Sequence, residues 1–118
     1  MSTLRVNTLQ DATGSNQPAM VGAAKAWVNF NGTGTVAIRE QFNVSSITDN
    51  GTGLYTINFT NALSDANYLA VCGNSYNRAM HTQTDSGTYT RSSTQCQVGF
   101  NNAGGYQDAQ YIEVAVFR

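Results

Sequence analysis

The strongest constraint in this chain is the spacing of its turn signals. From residue 24 onward, short alternating apolar segments are separated by Asn- and Gly-rich punctuation every 8–12 residues or so, the pattern of a β-sandwich. Two of the punctuation marks are the same four residues, Asn31-Gly32-Thr33-Gly34 and Asn50-Gly51-Thr52-Gly53. Asn-Gly between alternating segments is a strong hairpin signal, because both residues tolerate positive φ. The flanking segments do not align with one another, so the recurrence reflects turn chemistry rather than an internal duplication.

The segments themselves carry a period of two. Ala26, Val28 and Phe30 fall on one face, with Trp27 on the other. In Thr35–Val44, the period groups Val36, Ile38 and Phe42, with Arg39 and Gln41 opposite. Glu40 also falls on the Val36 face, which implies a bulge or a half-buried face. Tyr55, Ile57 and Phe59 share a face. Tyr68–Gly73 is a nearly continuous apolar run, as expected for a strand covered on both sides. Thr82–Arg91 reads as a polar hairpin around Asp85-Ser86-Gly87. Cys96, Val98 and Phe100 alternate with Gln95 and Gln97, and Ile112, Val114 and Val116 alternate with Tyr111, Ala115 and Phe117. Seven or eight short strands result, with no room for a long helix.

Residues 1–23 lack sustained periodicity and read as an extended attachment arm. Pro18 is suited to open a short helix, which Gly22 would weaken. The expected organisation is therefore an arm over 1–23 and a small antiparallel β-sandwich over 24–118. At 118 residues the chain is long enough for one core and too short for two.

Charge narrows the function. Only 11% of residues are charged, against roughly 25% in ordinary soluble domains, and the formal net charge is −1. That balance gives no electrostatic basis for nucleic-acid or anionic-membrane binding. No apolar run approaches the ~20 residues needed to span a bilayer, and Met1-Ser2-Thr3-Leu4-Arg5 does not open a secretory signal. The expectation is a protein made and assembled in the cytoplasm. There Cys72 and Cys96 are better read as buried free thiols than as a disulfide.

Catalytic chemistry finds little support. His81 is the only histidine, with no close ligand partner for a metal and no nucleophile positioned beside it. The acids Asp11, Glu40, Asp49, Asp65, Asp85, Asp108 and Glu113 are scattered and mostly in turns. The glycines follow Asn in hairpins rather than joining a strand to a helix, so no phosphate loop is present. The sequence predicts neither enzyme activity, nor a cofactor, nor a metal.

A surface function is placed by the least regular segments, 74–81 and 101–110, which mix tyrosine with amides and isolated charges. Aromatic faces, planar amides and carboxylates are the set that recognises sugars. Tyr76, Arg78, Tyr106 and Asp108 are the expected receptor-facing residues. Their competing reading is ordinary hairpin loop.

Lys25-Ala26-Trp27-Val28-Asn29-Phe30-Asn31-Gly32-Thr33-Gly34, with residues 39–68 after it, resembles a domain of bacteriophage tail-fibre and related virion proteins, often from phages of aquatic bacteria. The likeness spans about residues 24–72 and rests on the order of the tryptophan, the hairpin turns and the aromatic strand positions. Residues 4–14 resemble the short segment that introduces fibre domains; residues 73–118 match in general character only. The resemblance implies a β-rich, typically trimeric tip domain of a virion whose far end meets the host surface, and it brings no catalytic residue. It departs in length, since neither a long shaft nor a large attachment region is present. Trimerisation would also account for Trp27, Tyr55 and Phe117 as interface aromatics, because so small a domain cannot bury both faces alone. The readings in play are a short tail fibre held to the baseplate by residues 1–23, a capsid decoration protein held the same way, and a free carbohydrate-binding module. A host surface glycan is the expected outside partner.

Overall fold

The computed structural model describes residues 2, 3, 5, 23–76, 79–82, 91–102 and 104–118, with backbone alone for 79–82 and 102. The expected short helix at Pro18, Arg78, the hairpin at Asp85 and most of the arm lie outside the described residues, as does the side chain of His81. The described chain is all-β. Its strands are β1 (Ala24–Asn31), β2 (Ala37–Phe42), β3 (Val44–Gly51), β4 (Leu54–Phe59), β5 (Leu69–Asn74), β6 (Ala79–Thr82), β7 (Gln95–Asn102), β8 (Gly105–Tyr106) and β9 (Ile112–Phe117). They form two antiparallel sheets, ordered β2-β1-β9-β5 and β3-β4-β7-β6, with the two-residue β8 paired on β7.

The period-two pattern places the core between the sheets. Ala26, Val28, Phe30, Ile112, Val114 and Val116 supply one side; Tyr55, Ile57, Phe59, Cys96, Val98 and Phe100 supply the other. Phe30 meets Tyr55 edge-on at 5.2 Å between ring centroids, and Tyr55 meets Phe100 at 5.6 Å. Such pairs add to area burial because ring edges and faces carry opposite charge. Tyr55 is 0% exposed within a single protomer, which corrects its expected place at an oligomer interface.

The anticipated irregularity at Glu40 is a β-bulge. Asn29 pairs with Glu40 and Phe30 with Ile38, so Arg39 is the extra residue. One inserted residue reverses the alternation of a strand. Ile38 therefore packs toward the core, whereas Phe42 pairs with Trp27 on the outer face. The expected grouping of Phe42 with Ile38 is thereby overturned.

Two positions carry the chain between sheets and between hairpins. Asn43 ends β2 with φ 55°, and its side chain donates to the carbonyls of Lys25 and Asn61 while accepting from the Asn61 N–H. Asn is among the few residues other than Gly that enter this conformation readily. The corner turns the chain into β3, an exposed polar edge strand absent from the sequence reading. Beyond it, Gly53 combines φ 68° with close packing: a Cβ there would lie 2.8 Å from the backbone N and O of Gln107. Gly34 has a similar φ of 62° but open space around it.

The outer faces differ in chemistry. On the β3-β4-β7 face, Asn50 Nδ2 and Gln97 Nε2 both donate to Thr56 Oγ1, and Asn58 Nδ2 donates to Ser46 and Thr48 hydroxyls. On the other sheet, the register aligns Phe42, Trp27, Ala115 and Val71 across all four strands, with Phe117 and Leu69 in the next row. Leu69 and Val71 are 62% and 47% exposed, so β5 is covered on one side only within the protomer, contrary to the expectation for its apolar run.

Gly34→Ala should cost about 1–2 kcal/mol, the penalty of a left-handed alanine. Gly53→Ala should cost clearly more, because backbone atoms cannot move aside as side chains do. Urea melts of the two variants measure the difference. Asp65 provides a pH marker. Bidentate bonds from Arg118, then the Asn67 N–H, hold its carboxyl down at about 2 from 3.8. A depressed folded pKa contributes stability above the unfolded value of about 4 and loses it as pH falls toward 2. Both groups are exposed, so the effect is small and salt-sensitive. Carboxyl NMR titration should return Asp65 toward 3.8 in Arg118→Gln.

Candidate functional site

At one end of the β2-β1-β9-β5 sheet lies a cavity of about 370 Å³, lined by Thr33, Ser75, Tyr76, Asp108, Gln110 and Tyr111. Three pieces of chain build it: the turn after β1, the exit of β5 and the loop leading into β9. Two of the four expected receptor residues, Tyr76 and Asp108, meet there. Tyr106 sits on β8 and does not line it, and Arg78 lies outside the described residues. Ser75 and Gln110 lie within the two segments singled out but were not named, and Thr33 and Tyr111 were missed. The only sequence signal for Tyr111 was its place on the outward side of the last strand.

Asp108 is the most constrained member. Its Oδ1 accepts from the Gly53 N–H at 2.8 Å and lies 2.5 Å from the Tyr55 hydroxyl. That hydroxyl is also 2.9 Å from the Gly32 carbonyl, so its single proton is placed between two acceptors, the carboxylate being the nearer. Burial, then the bond to Asp108, pushes the Tyr55 phenol well above its ordinary range. The phenol is therefore a neutral donor at any working pH. Gly32 is essential to this approach: a Cβ on it would fall 2.5 Å from the Tyr55 oxygen and from Ile112 Cδ1. Its own N–H donates to the Ala109 carbonyl.

The remaining walls are fixed by local bonds. Ser75 N–H donates to the Tyr111 carbonyl at 2.9 Å, and the Tyr111 N–H donates back to Ser75 Oγ at 3.1 Å. Tyr76 N–H donates to Asn74 Oδ1, and Thr33 bonds Asn31 Oδ1 through both its N–H and its hydroxyl. The guanidinium of Arg39, the bulge residue, stacks on the Tyr111 ring at 4.0 Å from its centroid.

A second concavity, about 440 Å³, lies on the outer face of the same sheet. Trp27 and Val71 are among its walls, and Gly73 and Ala115 leave it open. Glu113 and Asn29 lie at the end nearer Tyr111. Trp27 is 38% exposed and Phe42 43%, while Phe117 is half-buried. Trp27 and Phe117 thus occupy the outer face expected of interface aromatics, joined by Phe42, Leu69 and Val71, which the sequence reading did not single out.

Cys72 and Cys96 are free, the second buried. Burial pushes the Cys72 thiol up to about 11 and raises that of Cys96 as well, so neither resembles an activated nucleophile. Among the described residues, no group of three His, Cys, Asp or Glu side chains is arranged to hold a metal ion. Comparison with family models, curated proteins and solved structures found no match to the chain.

Tyr55→Phe removes the hydroxyl without changing the ring packing. It should destabilise the fold by about 1.5–3 kcal/mol, the range for hydrogen bonds to charged groups. Amide exchange should quicken at Gly32, Gly53 and residues 107–109, while β9 should remain protected. Hydrogen-exchange mass spectrometry checks both outcomes.

Proposed function

We propose that this chain is a structural protein of a bacteriophage particle, acting as a short tail fibre. Copies associate as a homotrimer through the outer face of the β2-β1-β9-β5 sheet, residues 1–23 join them to the baseplate, and the loop end faces the host. The fibre does not act as an enzyme.

One observation carries this reading: the aligned apolar rows Phe42–Trp27–Ala115–Val71 and Phe117–Leu69 on an outward face. Monomeric proteins rarely expose contiguous apolar patches beyond a few hundred Å², and larger ones mark association surfaces. The polar outer face of the other sheet makes the contrast internal to the molecule. A cyclic homo-oligomer covers such a face with copies of itself and adds no further gene product. The row Glu40–Asn29–Glu113 separates these apolar residues from the Tyr76–Asp108 cavity, so covering one leaves the other open. The resemblance to tail-fibre domains read in the sequence pattern of residues 24–72 points the same way.

Sedimentation at micromolar concentration should give a trimer. Trp27→Ser combined with Leu69→Ser should give a folded monomer, since a buried interface Trp alone is commonly worth 2 kcal/mol or more. A wild-type monomer under the same conditions overturns the reading. Labelling within purified particles should find tens of copies at the tail; hundreds of copies on the shell would assign the chain to capsid decoration instead.

A further inference from the structure

We propose that the cavity formed by Thr33, Ser75, Tyr76, Asp108, Gln110 and Tyr111 is a binding site for a neutral saccharide. This rests on the receptor-facing role proposed above and assigns it a place and a ligand class.

The lining is the first argument. It holds two tyrosines, a carboxylate, an amide and the hydroxyls of Ser75 and Thr33, and among the described residues that line it there is no large aliphatic side chain and no cation. Its apolar surface is that of two tyrosine rings and short side-chain stems, with no Leu, Ile, Val or Met to anchor a peptide side chain or a lipid tail. An anionic group, whether phosphate, sulfate or a sugar acid, would face Asp108, and the neighbouring guanidinium among the described residues, that of Arg39, is stacked on the Tyr111 ring rather than lining the cavity. A neutral polyol meets neither objection. Its hydroxyls both donate and accept, and its ring presents C–H groups to an aromatic face.

Preorganisation is the second argument. Both bonds that fasten Asp108 fall on Oδ1, and among the described residues none falls on Oδ2. The carboxylate is thus held rigidly by one oxygen while the other remains an acceptor. Ser75 Oγ accepts the Tyr111 N–H and keeps its own proton to donate. Arg39 covers one face of Tyr111, which fixes the ring and leaves its remaining surface for the cavity. Tyr76 is more than half exposed at the rim, where it can close over a bound ring. A site whose groups are held before binding loses less conformational entropy on association. The volume lies at the lower end of the ~300–1,000 Å³ typical of ligand sites, which suits a terminal sugar or a short oligosaccharide.

The experiment uses the full chain on a panel of immobilised neutral mono- to tetrasaccharides built from hexoses, deoxyhexoses and N-acetylhexosamines. Matched sialylated and sulfated versions accompany them. Binding to a subset of the neutral members is expected. Tyr76→Ala and Gln110→Ala should each weaken it at least tenfold without changing the melting temperature. Trp27→Ser should retain binding per protomer. Amide shifts on titration with the best panel member should centre on Ser75, Tyr76, Gln110 and Tyr111. Absence of binding to every neutral member, stronger binding to the charged versions, or binding indifferent to both cavity variants overturns the proposal. A trimer that is found on the tail but binds no panel member overturns the saccharide site alone. A panel binder that is monomeric and absent from particles overturns the fibre reading alone.

Discussion

Much of the geometry at the cavity end of this protein depends on one buried hydroxyl. Tyr55 lies at the centre of the core, where a ring of its size contributes several kcal/mol of apolar burial but brings a polar oxygen that must be satisfied. The oxygen is satisfied by reaching out of the core to Asp108 and to the Gly32 carbonyl. Asp108 in turn takes the N–H of Gly53 at the tip of the β3–β4 hairpin. Three segments distant in sequence, near residues 32, 53 and 108, are drawn together by this arrangement. Two of them carry cavity residues, so the surface geometry is set from inside. The close approaches at Gly32 and Gly53 follow from the same requirement, because a side chain at either position would hold the segments apart.

The two outer faces show how a weakly charged chain divides its surface. The amide and hydroxyl ladder around Thr56 pairs the Gln97 and Asn50 amide nitrogens within the sheet, so that Thr56 and Gln97 are buried although they point away from the core, while Gln97 Oε1 has no partner among the described residues. Such a face offers a partner polar groups rather than apolar area. The apolar rows of the opposite sheet gain nothing from water and have no partner within the protomer. With few charges available, hydrophobic area rather than electrostatic steering would govern what joins there, and salt would affect it little.

The legible parts of the fold were those in which one strong period governed a whole strand. Ala26, Val28 and Phe30 on β1, Cys96, Val98 and Phe100 on β7, and Ile112, Val114 and Val116 on β9 face inward as their alternation implies. β3 was illegible because it is an exposed edge strand whose residues alternate in nothing but backbone pairing. The direction of Phe42 was hidden by the bulge, which a period cannot follow. Tyr55 alternated with Ile57 and Phe59, and that signal was right where its assignment to an interface was not. At the site, composition found Tyr76 and Asp108 because both stand in irregular loops. Tyr111 and Thr33 escaped because a strand end and a hairpin turn look structural until tertiary packing brings them together.

The bulge at Arg39 has a consequence for how far the two surfaces are tied. The same extra residue that reverses the alternation between Ile38 and Phe42 also places a guanidinium over the ring of Tyr111. Deleting it would leave Ile38 opposite Phe30 and Phe42 opposite Trp27, so the apolar row would keep its register while the ring of Tyr111 lost its cover. The bulge gives the cavity a side chain for which the regular ladder has no place. A change of length in this short strand would therefore reach the cavity and spare the apolar rows.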